Sequence, residues 1–173
     1  MPEDTDHYLV STRTILFVCV ALVAASLAWV FLGMRAVLGV GGACADGGPY
    51  ASTQSCPDGS WLLFPAVAVL VGAAVWGSSA AGAVGAPSLQ LPVWAATFLL
   101  LGWNFWEFGL SSDPGGRVAG WVVCGALFWA LAAPAVWLLF RQRGVAAGSW
   151  WLRYAALSVV AVAVGVLGFG ALV

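Results

Sequence analysis

The sequence of 173 residues contains no lysine and few charges of either sign, since only 8% of its residues are charged. An average soluble domain has about 25% charged and about 45–50% apolar residues, whereas this chain is 62% apolar. A soluble chain of this length cannot bury so much apolar surface, and disorder requires the opposite composition. The composition therefore predicts an integral membrane protein and excludes an ordinary soluble domain.

The sequence also lacks the short motifs of common catalytic and metal sites. It has a single histidine, His7, and no zinc-ligand spacing, phosphate-binding loop, HExxH or GxSxG pattern. Its net charge of −1 provides no basic stripe, so nucleic acid is not expected as a partner. These absences favour a protein that is not an enzyme, and they predict neither a metal nor a cofactor.

Charge-free runs predict an all-α bundle of about five transmembrane helices. An ionisable group at the bilayer centre costs about 2.5–3.5 kcal/mol, and a crossing needs about 20 mostly apolar residues. Each run is expected to be helical, because lipid offers no partner to an open backbone. Prolines and glycines divide the longest run into two. The predicted spans are 14–34, 61–83, 93–110, 118–140 and 154–173, forming one domain at 14–173 after a polar tail at 1–13.

The arginines set the expected orientation. With the tail in the cytoplasm, four arginines lie inside and two outside, as the positive-inside rule favours. The inner ones are Arg13, Arg141, Arg143 and Arg153, and the outer ones are Arg35 and Arg117. The tail is acidic, so the first span is predicted to be permanent rather than a signal peptide. Arginine without lysine, among abundant alanine and glycine, is typical of GC-rich bacteria, and the expected location is a bacterial plasma membrane.

The predicted outer loop, 41–60, contains Cys44 and Cys56 twelve positions apart among turn-forming residues. Outside the cytoplasm this pattern predicts a disulfide that closes the loop. The alternative is a redox-active pair, as in membrane thiol oxidoreductases, which the absence of a CxxC motif disfavours. Cys19 and Cys124 fall at different depths of their spans, so they are expected to be inert.

The same loop resembles that of a group of small membrane proteins. Its GG-x-C-A-x-GGPY core, followed by Cys-Pro-x-Gly, is similar to a loop in uncharacterised multi-span proteins of high-GC bacteria. The resemblance covers about twenty residues and the first helix hairpin. It implies a Gly-rich two-cysteine outer loop and no known activity, so it transfers no functional residue.

Glu107 is the one acid within a predicted span. Asn104 and Trp103 precede it by three and four positions, so the three side chains share a helix face. An aromatic-walled carboxylate in a membrane is a candidate for binding a cation or carrying a proton. The alternative is an interfacial ion pair with Arg35 or Arg117, which the same topology places outside. These five residues form the candidate binding group.

Most of the 11 tryptophans fall near the ends of spans, as in an interfacial aromatic belt. Trp76 and Trp129 lie deeper and are expected to pack or to line a ligand. Pairs of small residues four positions apart predict close helix contacts. These pairs are Ala21/Ala25, Ala24/Ala28, Ala73/Gly77, Gly77/Ala81 and Ala161/Gly165.

Three functions remain open at this point. The first is a non-enzymatic accessory or scaffold subunit that exposes the stapled loop and associates with a membrane partner or with a second copy of itself. The second is a small-molecule or ion binder or transporter that uses an outer-leaflet pocket around Glu107. The third is a membrane thiol oxidoreductase. The missing catalytic motifs favour the first.

Overall fold

The computed structural model describes residues 3–42, 55–111, 118–141 and 145–173, with side chains from residue 9 onward and again from residue 148. The described residues form five α-helices and a 3-10 turn, Ser60–Leu62, and include no strand. The helices are α1 (Glu3–Gly39), α2 (Leu63–Ala83), α3 (Gln90–Leu110), α4 (Ala119–Arg141) and α5 (Val145–Leu172). The predicted all-α class is confirmed, whereas Cys44 lies outside the described residues and the disulfide stays a prediction.

Two helix starts differ from those expected from the charge-free runs. α1 begins at Glu3 and α5 at Val145, well before the predicted starts at 14 and 154, because a helix propagates beyond the apolar segment once it is nucleated. Pro92, expected in the break between two spans, lies in the first turn of α3. Its missing N–H costs no hydrogen bond there.

Glycines in the left-handed region end the first two helices. Gly41 has φ 97° after α1, and Gly85 has φ 67° after α2. The N–H that follows each glycine donates back across the last turn, from Gly42 to the Val37 carbonyl at 3.0 Å and from Ala86 to the Ala81 carbonyl at 2.8 Å. This arrangement satisfies carbonyls that the helix end leaves open.

Four of the helices are long and apolar enough to cross a membrane, which indicates a membrane-embedded protein. The four segments are Leu9–Gly39, Ser60–Ala83, Ala119–Arg141 and Gly148–Leu172. α3 is of similar length, with 21 residues, but three tryptophans, Asn104 and Glu107 lower its mean hydropathy. The predicted span at 93–110, which corresponds to α3, is therefore not among these four helices.

α1 is the central helix of the bundle. It packs against α2, α3 and α5, whereas α4 packs only on α3 and α5 only on α1 among the described helices. Of the four apolar segments, α1 has the largest buried share of residues, 44%, and α5 the smallest, 11%. The outer helices are thus held by single neighbours, and a gap remains between α3 and α5.

Small residues allow the closest contacts of α1. A Cβ at Gly77 of α2 would lie 2.8 Å from Cβ of Cys19, and one at Gly165 of α5 would lie 3.1 Å from Cα of Ala25. The indole nitrogen of Trp29 donates to the Gly165 carbonyl at 2.7 Å, and the ring contacts Phe17–Trp150 and Trp29–Phe169 show that α5 runs parallel to α1. The close contacts predicted from the pairs that contain Gly77 and Gly165 are confirmed.

Candidate functional site

Arg35 of α1 and Glu107 of α3 form a bidentate ion pair, which we call the clamp together with Trp103. The distances are 2.5 Å from Nη1 to Oε2 and 2.7 Å from Nη2 to Oε1. The Trp103 indole donates to Oε2 at 3.0 Å. Parallel paired bonds give geometric specificity as well as strength. The structure thus joins Glu107 to one of the two arginines expected as partners.

The clamp lies within about one turn of the ends of α1 and α3. Arg35 precedes the last residue of α1 by four positions, and its guanidinium carbon lies 5.6 Å and 5.3 Å from the ring centroids of Phe31 and Phe108. The two charged side chains keep 33% and 44% of their surface exposed. A half-exposed pair at this depth remains accessible to a polar group at the membrane surface.

Asn104 lies fully buried between the same two helices. Its Nδ2 donates to the Phe31 carbonyl of α1 at 3.2 Å, and its Oδ1 has no hydrogen-bond partner among the described residues. A buried amide bonded to a neighbouring helix backbone fixes the register of two apolar helices. Asn104 therefore supports the clamp from below and does not face the ligand pocket described next.

A pocket of about 220 Å³ opens beside Glu107, between α3 and α4. Its walls are Trp103, Trp106, Leu110 and Trp129. The rings of Trp106 and Trp129 stack with centroids 5.7 Å apart. Indole faces and a carboxylate are the groups that attract organic cations. The sequence placed Trp103 beside the carboxylate and named Trp129 as a residue that packs or lines a ligand, whereas it assigned Trp106 only to the interfacial belt.

A larger cavity, which we call the slot, lies between α1, α3 and α5 and has a volume of about 650 Å³. It extends along residues 20–32 of α1, residue 89 and residues 92–100 at the start of α3, and residues 151–166 of α5. Twelve residues of helix span roughly 18 Å, so the slot is elongated along the helix axes. Ala24 and Ala28, a predicted small-residue pair, lie in its floor.

Few polar groups line the slot, and most are at one end. Trp151 and Tyr154 lie at the end away from the clamp, and Ser158 is one turn further along α5. The Tyr154 hydroxyl donates to the Pro87 carbonyl at 3.1 Å, so this donor is already used. The rest of the lining is hydrocarbon, which favours an apolar occupant.

α3 and α4 interlock through a motif that the sequence contains twice. Gly102 and Trp106 of α3, and Gly125 and Trp129 of α4, each belong to a G-x-x-F-W segment. A Cβ at Gly102 would lie 2.2 Å from Cδ1 of Trp129, and one at Gly125 would lie 2.4 Å from Cδ1 of Trp106. The Trp129 indole also donates to the Leu99 carbonyl at 3.3 Å. This reciprocal packing fixes the positions of the two tryptophans in the pocket wall. The repeated motif is the sequence feature from which the packing could have been predicted.

The remaining predicted residues do not join these sites. Arg117 and Cys44 lie outside the described residues, so their predicted roles stay predictions. Cys19 and Cys124 are free and lie on α1 and α4, which do not pack against each other. Of the two deep tryptophans, Trp129 packs as expected, whereas Trp76 is 69% exposed on the lipid-accessible side of α2.

Comparisons of the chain with protein-family models, curated proteins and solved structures found no match. The geometry of the clamp, the pocket and the slot is therefore the basis for any functional assignment. The resemblance of the outer loop to uncharacterised proteins of high-GC bacteria stays a prediction.

Proposed function

We propose that this chain is a non-enzymatic multi-pass membrane protein that binds the hydrocarbon chain of a lipid in the slot. The observation that supports this proposal is the elongated apolar cavity of about 650 Å³ between α1, α3 and α5. Pockets for small ligands have volumes of roughly 300–1,000 Å³ and are mostly apolar. Size, shape and lining all suit one extended chain that enters sideways from the bilayer.

The length and the lining of the slot suit a hydrocarbon chain. The slot is roughly 18 Å long along the helix axes, and its lining is almost wholly apolar. An extended hydrocarbon chain follows this long axis without displacing α3 or α5.

The proposal keeps the non-enzymatic part of the accessory-subunit hypothesis and gives it a ligand. An association with a membrane partner, or with a second copy of this chain, is compatible with lipid in the slot. The lipid-facing sides of α4 and α5 supply the surface for such an association, since each of them packs on a single neighbour among the described helices.

Five crossings fit the packing better than four. α3 runs parallel to α1, because Phe31 and Arg35 of α1 meet Asn104 and Glu107 of α3 in the same order. Its 21 residues span roughly 31 Å, about the thickness of the hydrocarbon core. We therefore propose that α3 crosses with the others, in the arrangement with the N-terminus in the cytoplasm of a bacterial cell and the C-terminus outside.

The Cys44–Cys56 disulfide is part of the same proposal. In this orientation the loop after α1 lies outside the cytoplasm, where disulfides persist. Alkylation of intact cells should leave both cysteines unmodified until a reductant is added, as mass spectrometry of the loop peptide will show. Alkylation of either thiol without reduction contradicts the staple.

The slot is tested with a lipid whose acyl chain carries a photoreactive diazirine. The full chain is reconstituted with this lipid, irradiated and digested, and the labelled peptides are identified by mass spectrometry. We expect labels on the slot-lining stretches of α1, α3 and α5. Labels spread evenly over all outward faces would show that the slot has no special affinity.

Two neighbouring alanines of α5 provide a matched pair of variants. Ala155 lines the slot, whereas the exposed Ala156 does not. Ala155→Phe should lower the labelling of α1 and α3 several-fold, and Ala156→Phe should leave it unchanged. Equal labelling in both variants contradicts the assignment of the slot as the site.

A further inference from the structure

We infer that the clamp and the tryptophan pocket together bind the zwitterionic headgroup of the lipid whose chain occupies the slot, an ammonium on Glu107 and a phosphate on Arg35. This inference rests on the proposed function and identifies the class of lipid.

The slot and the clamp lie on one continuous face of α3. Leu89, Ala96 and Leu100 line the slot, and Trp103 and Glu107 follow at the spacing of three and four residues that keeps side chains on one face. Glu107 lies seven residues beyond Leu100, a rise of about 10 Å. A chain in the slot thus places its headgroup beside the clamp.

The pocket offers an ammonium group three kinds of contact. Trp103, Trp106 and Trp129 supply indole surfaces beside the carboxylate, and a cation over an indole face is attracted by the ring quadrupole. Oε2 of Glu107 already accepts from Arg35 and Trp103, whereas Oε1 accepts from Arg35 alone among the described residues. A carboxylate has about four acceptor positions, so Oε1 retains capacity for an ammonium N–H.

The guanidinium provides the complementary half of the site. Arg35 keeps a third of its side chain exposed beside the rings of Phe31 and Phe108, and arginine is well suited to phosphate oxygens. A zwitterion laid antiparallel to the clamp brings ammonium to carboxylate and phosphate to guanidinium. An anionic headgroup would be repelled by the Glu107 carboxylate, and a purely cationic headgroup would be repelled by the Arg35 guanidinium.

The test measures headgroup selectivity at constant chain chemistry. The full chain is reconstituted in bilayers of equal amounts of dioleoyl phosphatidylethanolamine and dioleoyl phosphatidylglycerol, extracted mildly, and analysed by native mass spectrometry. We expect a roughly fivefold enrichment of the zwitterionic lipid in the retained fraction, the size of one favourable cation–π contact. Enrichment of phosphatidylglycerol, or equal retention of the two, overturns the inference.

Variants distinguish binding of the lipid headgroup from binding of its acyl chain. Glu107→Gln and Trp103→Leu should each abolish the enrichment, so that the two lipids are retained in equal amounts. Asp58→Asn and Trp76→Leu are the matched controls, because both residues are exposed and neither lines the pocket, and they should leave the enrichment unchanged. The double variant Arg35→Gln/Glu107→Gln leaves no unpaired charge, so its retained-lipid ratio remains informative if Glu107→Gln alone folds poorly.

The slot variant distinguishes failure of the two proposals. Ala155→Phe should reduce total lipid retention and keep the ratio of the remaining lipid. If wild-type protein retains lipid without headgroup preference, the headgroup inference is wrong and the slot stands. If wild-type protein retains no lipid after mild extraction, the proposed function fails and the inference fails with it.

Discussion

Adding one methyl group to Gly102 should loosen the whole α3–α4 hairpin. The new Cβ would lie 2.2 Å from Cδ1 and 2.6 Å from Nε1 of Trp129, and 3.1 Å from the Gly125 carbonyl oxygen. Trp129 must therefore move, and with it go its stack on Trp106 and its hydrogen bond to Leu99. Overpacking costs about 1–3 kcal/mol, the lost aromatic stack about 0.5–1.5 kcal/mol and the lost hydrogen bond about 0.6 kcal/mol. Together they should lower the free energy of unfolding by roughly 2–5 kcal/mol.

The assay is reversible unfolding in mixed micelles, followed by circular dichroism as the fraction of sodium dodecyl sulfate is raised. Gly120→Ala is the control on α4, because a Cβ there meets no atom within 4 Å. In a Trp129→Ala background, Gly102→Ala should cost less than about 1 kcal/mol, since the main clash is gone. The reasoning is refuted if Gly102→Ala is as stable as Gly120→Ala, or if its cost does not depend on Trp129.

Three further outcomes follow from the same structure. Glu107→Gln should lower the free energy of unfolding by about 1 kcal/mol, because the clamp is partly exposed. In a double-mutant cycle, Arg35→Gln and Glu107→Gln together should lower this free energy by less than the sum of the two single changes. Single cysteines at Ser88 and Ser111, in a chain without its native cysteines, should react with an impermeant maleimide from opposite sides of the membrane, and labelling from one side contradicts a crossing by α3. Gly165→Ala should destabilise the protein by about 1–3 kcal/mol, because the new Cβ would clash with the backbone of α1. Alanine at a glycine of α5 where a Cβ meets no atom within 4 Å should be neutral in the same assay.

The helices follow from the distribution of scarce charges. Each predicted span corresponds to a helix, because a run of about 20 apolar residues is stable in lipid only as a helix. The starts of α1 and α5 do not follow from this rule, since helical hydrogen bonding continues past the apolar segment. The first turn of α3 differs for a similar local reason, because Pro92 suits a helix start as well as a break.

The sites were predictable only in part. Glu107 was a candidate because an acid within a span is costly, and its two nearest helix neighbours follow from the 3.6-residue period. Which arginine pairs with it depends on the parallel packing of α1 and α3, which hydropathy does not encode. The slot was not predictable at all, because it arises from helices α3 and α5 that both pack on α1 and not on each other.

This gap between α3 and α5 is physically reasonable in a bilayer. In water, two apolar faces separated by a cavity close up, because burial of their surface is favourable. In lipid that driving force is absent, since acyl chains solvate leucine and valine as well as a protein interior does. The slot is therefore stable as long as a hydrocarbon chain fills it, and the clamp, with Asn104 beneath it, fixes α3 on α1 at one edge. Selectivity must then come from the polar end of the ligand, which is why variants of Glu107 should change which lipid is retained and variants of Ala155 how much.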